Sequence, residues 1–250
     1  MVERRWRREA GSKDEGSRVA APCEKCGQAE GATRVTARVW HEAVVRSGEN
    51  EQLGTAMDPT VVYVAGPLFN RQEREAQAAI AAALEARGMA TFLPQRDGLE
   101  MMRLAEAGVP RAALERAVFA LDVFQVVERC GALVANGNGA VLDDGTVVEM
   151  TAAALMGHPV VLLRADDRTT FDGVINPMVT GVTDVCVATA EAAAAEVKAL
   201  LVLACACPCP SQRALPPRVA AAVSRGRELW RAKAAGDDVA AVVARIFADC

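Results

Sequence analysis

Two carboxylates, Asp143 and Glu149, stand six residues apart in the stretch Leu142-Asp143-Asp144-Gly145-Thr146-Val147-Val148-Glu149-Met150. Gly145 lies between them. An alanine-rich apolar run, Thr151 to Met156, follows and reads as a helix. A loop that presents one acid, leading into a helix that carries a second, is a compact way to build a two-carboxylate site. One group can then move a proton while the other attacks carbon. A third acid, Asp122, sits among Ala, Leu, Val and Phe in an otherwise apolar helical pattern. It faces either water or a polar pocket, because burying an unpaired carboxylate is costly. Ordinary structural roles compete with these chemical ones. Asp143 or Asp144 can serve as a turn residue or N-cap. A glutamate in the first turn of a helix is ordinarily a surface acid matched to the helix dipole.

The elements that must position these acids follow from the pattern on either side. Val61-Val62-Tyr63-Val64-Ala65 is a β-branched run stopped by Gly66-Pro67, the mark of a buried first strand. Asn70 and Glu73 form a capping-box pair that opens a helix running to about Arg87 and closing at Gly88. Its apolar positions are Ala76, Ala79, Ile80, Ala83 and Leu84. A second strand, Ala90 to Leu93, leads into a polar turn, Gln95 to Gly98. Leu99 to Ala107 reads as a short helix. A longer one, with Pro110 in its first turn, extends to about Arg129 along Leu114, Val118, Leu121 and Phe124. Ala132 to Ala135 is a third strand, and Asn136 to Gly139 a loop whose residue types tolerate positive φ. That loop is not a phosphate cradle, since it lacks a following Lys-Ser/Thr and the spacing of a dinucleotide fingerprint. Pro159 to Leu163 is a fourth strand, Val185 to Val187 a fifth, and Glu191 to Cys205 the last helix of the domain.

Strand and helix alternate, which predicts an α/β domain with a mostly parallel sheet and right-handed crossovers. Ligands of such sheets bind beyond the carboxyl ends of the strands. The polar residues gather there: Gly66 and Asn70, Gln95 to Asp97, Asn138 to Asp144, and Arg164 to Arg168. His158, between glycine and proline, reads as an exposed turn residue.

The flanks are different. Residues 1–58 mix charge with Gly, Ser and Ala without a period and read as a flexible extension, bounded at Asp58-Pro59. The domain is expected over 59–205. Residues 206–250 hold a proline- and cysteine-containing linker. An amphipathic helical stretch follows from Arg218, with Trp230, Val239, Val242, Val243 and Ile246 on one face.

Whole-chain totals exclude several classes. A net charge of −4 over 250 residues does not suggest a nucleic-acid binder. The longest apolar candidate, Ala199 to Cys207, stops at Pro208, short of the ~18–20 residues of a membrane span. Arg4, Arg5, Arg7 and Arg8 precede no apolar run, so they do not form a secretory signal. Acids interleave with those arginines, which leaves an organellar transit peptide as a weaker reading beside a cytoplasmic location. The eight cysteines are expected as free thiols. Cys23-x-x-Cys26 could pair with Cys205, Cys207 and Cys209 around zinc, but the second group has one-residue spacing and no histidine nearby.

Five fragments together resemble the nucleoside 2-deoxyribosyltransferases. They are Val62-Tyr63-Val64-Ala65-Gly66-Pro67-Leu68-Phe69-Asn70, Phe92-Leu93-Pro94-Gln95-Arg96-Asp97-Gly98, Asp143-x-Gly145-Thr146-x-x-Glu149, Gly157-His158-Pro159-Val160-Val161 and Asn176-Pro177-Met178. The resemblance spans roughly residues 60–190. It implies a flavodoxin-like, doubly wound sheet and an enzyme acting by double displacement. Glu149 would be the nucleophile at C1′ of a 2′-deoxynucleoside. Asp143 would protonate the leaving base, Asp122 would be a further acid on the base side, and Tyr63 would hydrogen-bond the nucleophile. Gly66 and Gln95 would line the substrate site, while Asn176 and Met178 would help complete a neighbouring subunit's sugar site. The implied partners are a deoxynucleoside, a free nucleobase and further copies of the chain, with no metal or organic cofactor. Glycosidic cleavage fits two acids on general grounds. Its oxocarbenium-like transition state favours a carboxylate near C1′, and a base leaves poorly unless protonated. Burial beside another acid would raise the pKa of Asp143 or Asp122. Two positions depart from the family pattern. Gly131 follows Cys130 where an acid usually ends the helix, and Asn138 replaces the acid of a Leu-Asp-Gly loop. Those departures, with the long tails, leave a non-catalytic nucleotide-binding module as one alternative. The other is a hydrolase acting on deoxynucleosides or their 5′-monophosphates, since related N-glycosidases share the fold and the glutamate.

Overall fold

Every residue of Val61–Ala65 (β1) is apolar, and all but the first are buried, because both faces of this strand are covered. The structure, a computed structural model, describes residues 61–166, 168, 174–206 and 215–248. The expected N-terminal extension with its boundary at Asp58-Pro59, and the candidate zinc cysteines, lie outside the described residues or side chains. Beyond β1, the Asn70–Glu73 capping box opens α1 (Arg71–Glu85) as the sequence predicts. The Asn70 side chain accepts from Glu73 N at 2.9 Å, and Asn70 N donates to Glu73 Oε2 at 3.1 Å. The buried stripe of α1 differs from the expected one. It is Gln77, Ile80, Ala81 and Leu84, while Ala79 is exposed. Alanines on both faces of α1 gave the periodicity no contrast.

β2 (Ala90–Phe92) leads directly into α2 (Pro94–Asp97), a single turn with proline at its start, where a non-helical turn was expected. The Asp97 carboxylate accepts from Leu93 N at 2.8 Å and closes that turn. α3 (Met101–Glu106) and α4 (Arg111–Phe124) follow. α4 continues into a π-helical turn, Gln125–Arg129, rather than running on as α-helix. β3 is Cys130–Asn136, α5 Asp144–Leu155, β4 Val160–Leu163, α6 Pro177–Thr180, β5 Val185–Val187 and α7 Ala190–Ala206.

All strand pairs are parallel, in the order β2-β1-β3-β4-β5. This is the flavodoxin-like order, whose ligand crevice opens where the winding reverses, between β1 and β3. One face of the sheet, with Val62, Val64, Val134 and Val161, packs on α1 and α7. The other face, with Tyr63, Phe92, Leu133 and Leu162, packs on α5. Gly131 is the extra residue of a β-bulge, since Val61 pairs with Cys130 and Val62 with Ala132. It lies at the amino end of β3, away from the crevice, so the missing acid there falls outside the candidate site.

The C-terminal stretch is two helices rather than one: α8 (Pro217–Ala235) and α9 (Val239–Ile246). Gly236 ends α8 in the left-handed region at φ 78°, and Asp238 caps α9. Both pack on α4. Gly226 makes that approach possible, because a Cβ there would fall 1.9 Å from the Ala120 carbonyl oxygen. No described helix is long and apolar enough to cross a membrane.

Candidate active site

Asp143 is the N-cap of α5. Its Oδ2 accepts from Thr146 N at 2.8 Å and from Thr146 Oγ1 at 2.9 Å. Thr146 is itself buried, so the cap is fixed from the protein side. Because α5 already begins at Asp144, Glu149 sits in its second turn, not the first. There its side chain points back toward the sheet, and the Tyr63 hydroxyl donates to Glu149 Oε1 at 2.7 Å. Tyr63 is fully buried in β1, with its ring stacked on Phe92 at 5.4 Å between centroids. Its body is a core side chain and its hydroxyl is committed to the acid.

Burial pushes the Glu149 carboxyl up to about 8. The Tyr63 hydrogen bond pulls it down, and the charges of Asp122 and Asp143 add to the rise. Asp122, on α4, is pushed up to about 7 by burial. It is partly buried and lies near both other groups, since its charge is felt by Tyr63 and Glu149. The Tyr63 phenol is held well above its ordinary value, first by burial and then by the two carboxylates. Three of the predicted residues, Tyr63, Glu149 and Asp122, thus form one cluster, with Tyr63 fully buried and the two acids partly so, and Asp143 stands near it. Two neighbouring acids with raised pKa values hold a proton near neutrality. Glu149 keeps Oε2 free of the tyrosine, so the group can present one oxygen to an electrophile while the other is anchored.

The remaining predicted residues are placed differently. Gly66 lies at the carboxyl end of β1, on the crevice. A Cβ there would come within 1.5 Å of Gln77 Nε2 and 3.0 Å of Asn136 Cβ, so a side chain fits only if buried Gln77 moves. Gln95 donates through Nε2 to the Arg74 carbonyl at 2.8 Å. It lines a surface cleft of about 500 Å³ with Arg74, Ala78, Ala81, Glu85, Leu93 and Arg96, none of which belongs to the acid cluster. Arg96 is bound there to Glu85, Thr91 and Asp97. Asn176 caps α6, accepting from Met178 N at 3.0 Å, and Met178 is 78% exposed.

Asn138 has a defined structural role. Its Oδ1 accepts from Ala165 N at 2.8 Å and Asp166 N at 3.1 Å, while its Nδ2 donates to Asn136 Oδ1 at 3.0 Å. Gly139 N donates to Asp166 Oδ2 at 3.1 Å, and the Arg164 guanidinium donates to the Gly137 carbonyl. These contacts tie the loop after β3 to the loop after β4. An amide supplies the acceptor that a carboxylate would, and adds a donor that a carboxylate lacks. His158 is half-buried with Nε2 at 3.4 Å from the Val127 carbonyl, rather than exposed, because the turn after α5 packs against the π-helical turn.

Sequence reasoning missed two features. Gln77 is fully buried and finds no partner for its amide among the described residues, in a stripe that read as alanine. Trp230, assigned to a C-terminal face, packs edge-on to Phe92 at 5.9 Å. No local spacing links residue 230 to residue 92. Among the described residues, no group of three or more His, Cys, Asp or Glu is arranged to hold a metal.

Comparison with known proteins gives a family. The nucleoside 2-deoxyribosyltransferase model matches residues 62–195. No curated protein matches. A 2-deoxyribosyltransferase from Bacillus psychrosaccharolyticus is 20% identical, covering 53% of this chain and 89% of its own, with a TM-score of 0.45. A conserved protein from Enterococcus faecalis is 20% identical over 57% of this chain and 99% of its own, with a TM-score of 0.42. A CMP N-glycosidase from Clostridium botulinum is 18% identical over 58% of this chain and 99% of its own, with a TM-score of 0.35.

Proposed function

The chain belongs to the nucleoside 2-deoxyribosyltransferase family, and we propose on that premise that it transfers 2-deoxyribose between nucleobases through a covalent deoxyribosyl-Glu149 intermediate. The observation that carries the reading is the part-buried Tyr63–Glu149 hydrogen bond beside a second acid of raised pKa. With Oε1 held by Tyr63, Glu149 Oε2 attacks C1′. The electron pair of the C1′–N bond goes to the departing base, which takes the proton of Asp122. In the second half, a nitrogen of the incoming base attacks C1′, its proton returns to Asp122, and the Glu149 carboxylate leaves. Protons and electrons balance over the cycle, with no redox partner.

We assign the proton to Asp122, with Glu149 ionised, as the reactive form of a pair that shares one proton, because Asp143 Oδ2 is occupied by two donors from Thr146. Asp143 then holds the start of α5 and offers Oδ1 to the substrate. Gly66, at the end of β1, is the proposed substrate-lining position; Gln95 joins it only by leaving the Arg74 carbonyl in its separate cleft. The exposed Met178 beside Asn176 is suited to completing the sugar site of a second copy, as in a homo-oligomer. A role in nucleoside salvage follows from the reaction.

The test is incubation with deoxyinosine, with and without free adenine, followed by chromatography. A new deoxynucleoside that appears only with added base is the expected result. Free hypoxanthine without an acceptor would make the protein a hydrolase. Binding without any product would remove both activities.

A further inference from the structure

Four side chains form a continuous line from the C-terminal helices to the candidate nucleophile. Trp230 of α8 packs T-shaped on Phe92 with centroids 5.9 Å apart. Phe92 stacks on Tyr63 at 5.4 Å, the two residues being direct partners across β1 and β2. The Tyr63 hydroxyl reaches Glu149 at 2.7 Å. Trp230 is itself pinned, because the Arg129 guanidinium lies 4.3 Å over its ring. Around it, α8 is tied to the domain at both ends of this line. Arg227 pairs with Glu128 in the π-helical turn that follows the helix of Asp122, and its Nε donates at 2.9 Å. Lys233 donates to the Asp97 and Gly98 carbonyls just after β2. Phe92 and Tyr63 are both fully buried, so neither ring has water to move into. An aromatic ring in a close-packed interior holds its place only while its neighbours do.

We propose that Trp230 is a positioning residue for the Tyr63–Glu149 hydrogen bond, acting through Phe92. The C-terminal helices beyond the family-matched region are thereby part of the site's back wall, not an appendage. The contact is local, because Leu229, the next residue, faces a different cluster with Ala113, Leu114 and Val243. Its relevance to catalysis rests on the proposed function. The positioning itself does not, and the test keeps the two apart.

Tyr63 is the only tyrosine of the chain. Ring-labelled tyrosine in the full-length protein therefore gives a single NMR resonance whose Cζ shift reports this hydroxyl directly. In the wild type that shift is expected to titrate as Glu149 and the nearby Asp122 ionise, and Glu149→Gln, which has no proton to lose, is expected to leave only the smaller Asp122 contribution; the difference between the two titrations is the Glu149 step. Trp230→Ala should reduce its amplitude several-fold, and Trp230→Phe, which keeps a ring against Phe92, should restore it. Leu229→Ala serves as the control for lost helix packing and should leave the amplitude unchanged. A wild-type titration in Trp230→Ala would overturn the proposal, as would equal losses in Trp230→Ala and Leu229→Ala. The same variants then report on turnover. Trp230→Ala should lower kcat with KM little changed, and should lower it no further in a Tyr63→Phe background, where there is no hydroxyl to position. Equal fold-losses in both backgrounds would also overturn it. Absence of turnover in the wild type, with the NMR result intact, would fall on the proposed function alone.

Discussion

Replacing Glu149 by glutamine removes a titrating carboxyl while keeping an oxygen that can accept the Tyr63 hydroxyl. The carboxyl is pushed from an ordinary 4.5 to about 8, burial being the largest cause. An acid with a raised pKa binds its proton more tightly in the folded chain than in the unfolded one. Its contribution is therefore fully present below the unfolded value and is lost as pH rises toward the folded value. Each pH unit within that window is worth about 1.4 kcal/mol. From about pH 5.5 to about pH 9 the wild type should lose ~3 kcal/mol on account of this one group. Glutamine does not titrate, so Glu149→Gln should gain that amount on the wild type over the same interval, while turnover is abolished. Urea unfolding of both proteins at the two pH values, followed by far-UV circular dichroism, measures the difference. A variant-minus-wild-type stability that does not change with pH would refute the burial of a titrating Glu149.

Three further outcomes are expected. The pH profile of kcat/KM should be bell-shaped, because activity needs one proton shared by Asp122 and Glu149, raised to about 7 and about 8; Asp122→Asn should remove the alkaline limb and lower the maximum, and an unchanged alkaline limb would count against Asp122 as donor. Tyr63→Phe keeps the stack on Phe92 but deletes the bond that lowers the Glu149 pKa, so the acid limb should move to higher pH and kcat should fall by roughly 10- to 100-fold. Gly226→Ala sets a Cβ 1.9 Å from the Ala120 carbonyl oxygen and should cost about 1–3 kcal/mol in thermal or urea unfolding by forcing α8 off α4.

Much of the fold was legible because its signals are local. The Asn70–Glu73 capping box, the Val61–Ala65 run and the alternation of strand with helix each depend on residues close in sequence. Strand order followed once the family was recognised, since winding direction is not written in any one segment. The acids of the site were visible as residue types, and the N-cap role of Asp143 was among the local readings. The burial that raises Asp122 was not, because it depends on tertiary packing. Asn138 looked like a loss of chemistry because a sequence comparison weighs charge. In the structure its acceptor oxygen is what joins two loops. Gly131, the other departure, proved to be a bulge at the far end of the strand. Trp230 was unreadable as a site neighbour because its contact with Phe92 crosses most of the domain in sequence.

The central claim is that Glu149 bonds to sugar carbon. It is tested most directly by mixing the protein with deoxyinosine, quenching in acid and mapping the peptides by mass spectrometry. The expected result is one deoxyribosyl adduct, on the peptide that carries Glu149, which disappears on chasing with adenine and is absent from Glu149→Gln. An adduct on another residue, or turnover that survives in Glu149→Gln, would contradict it.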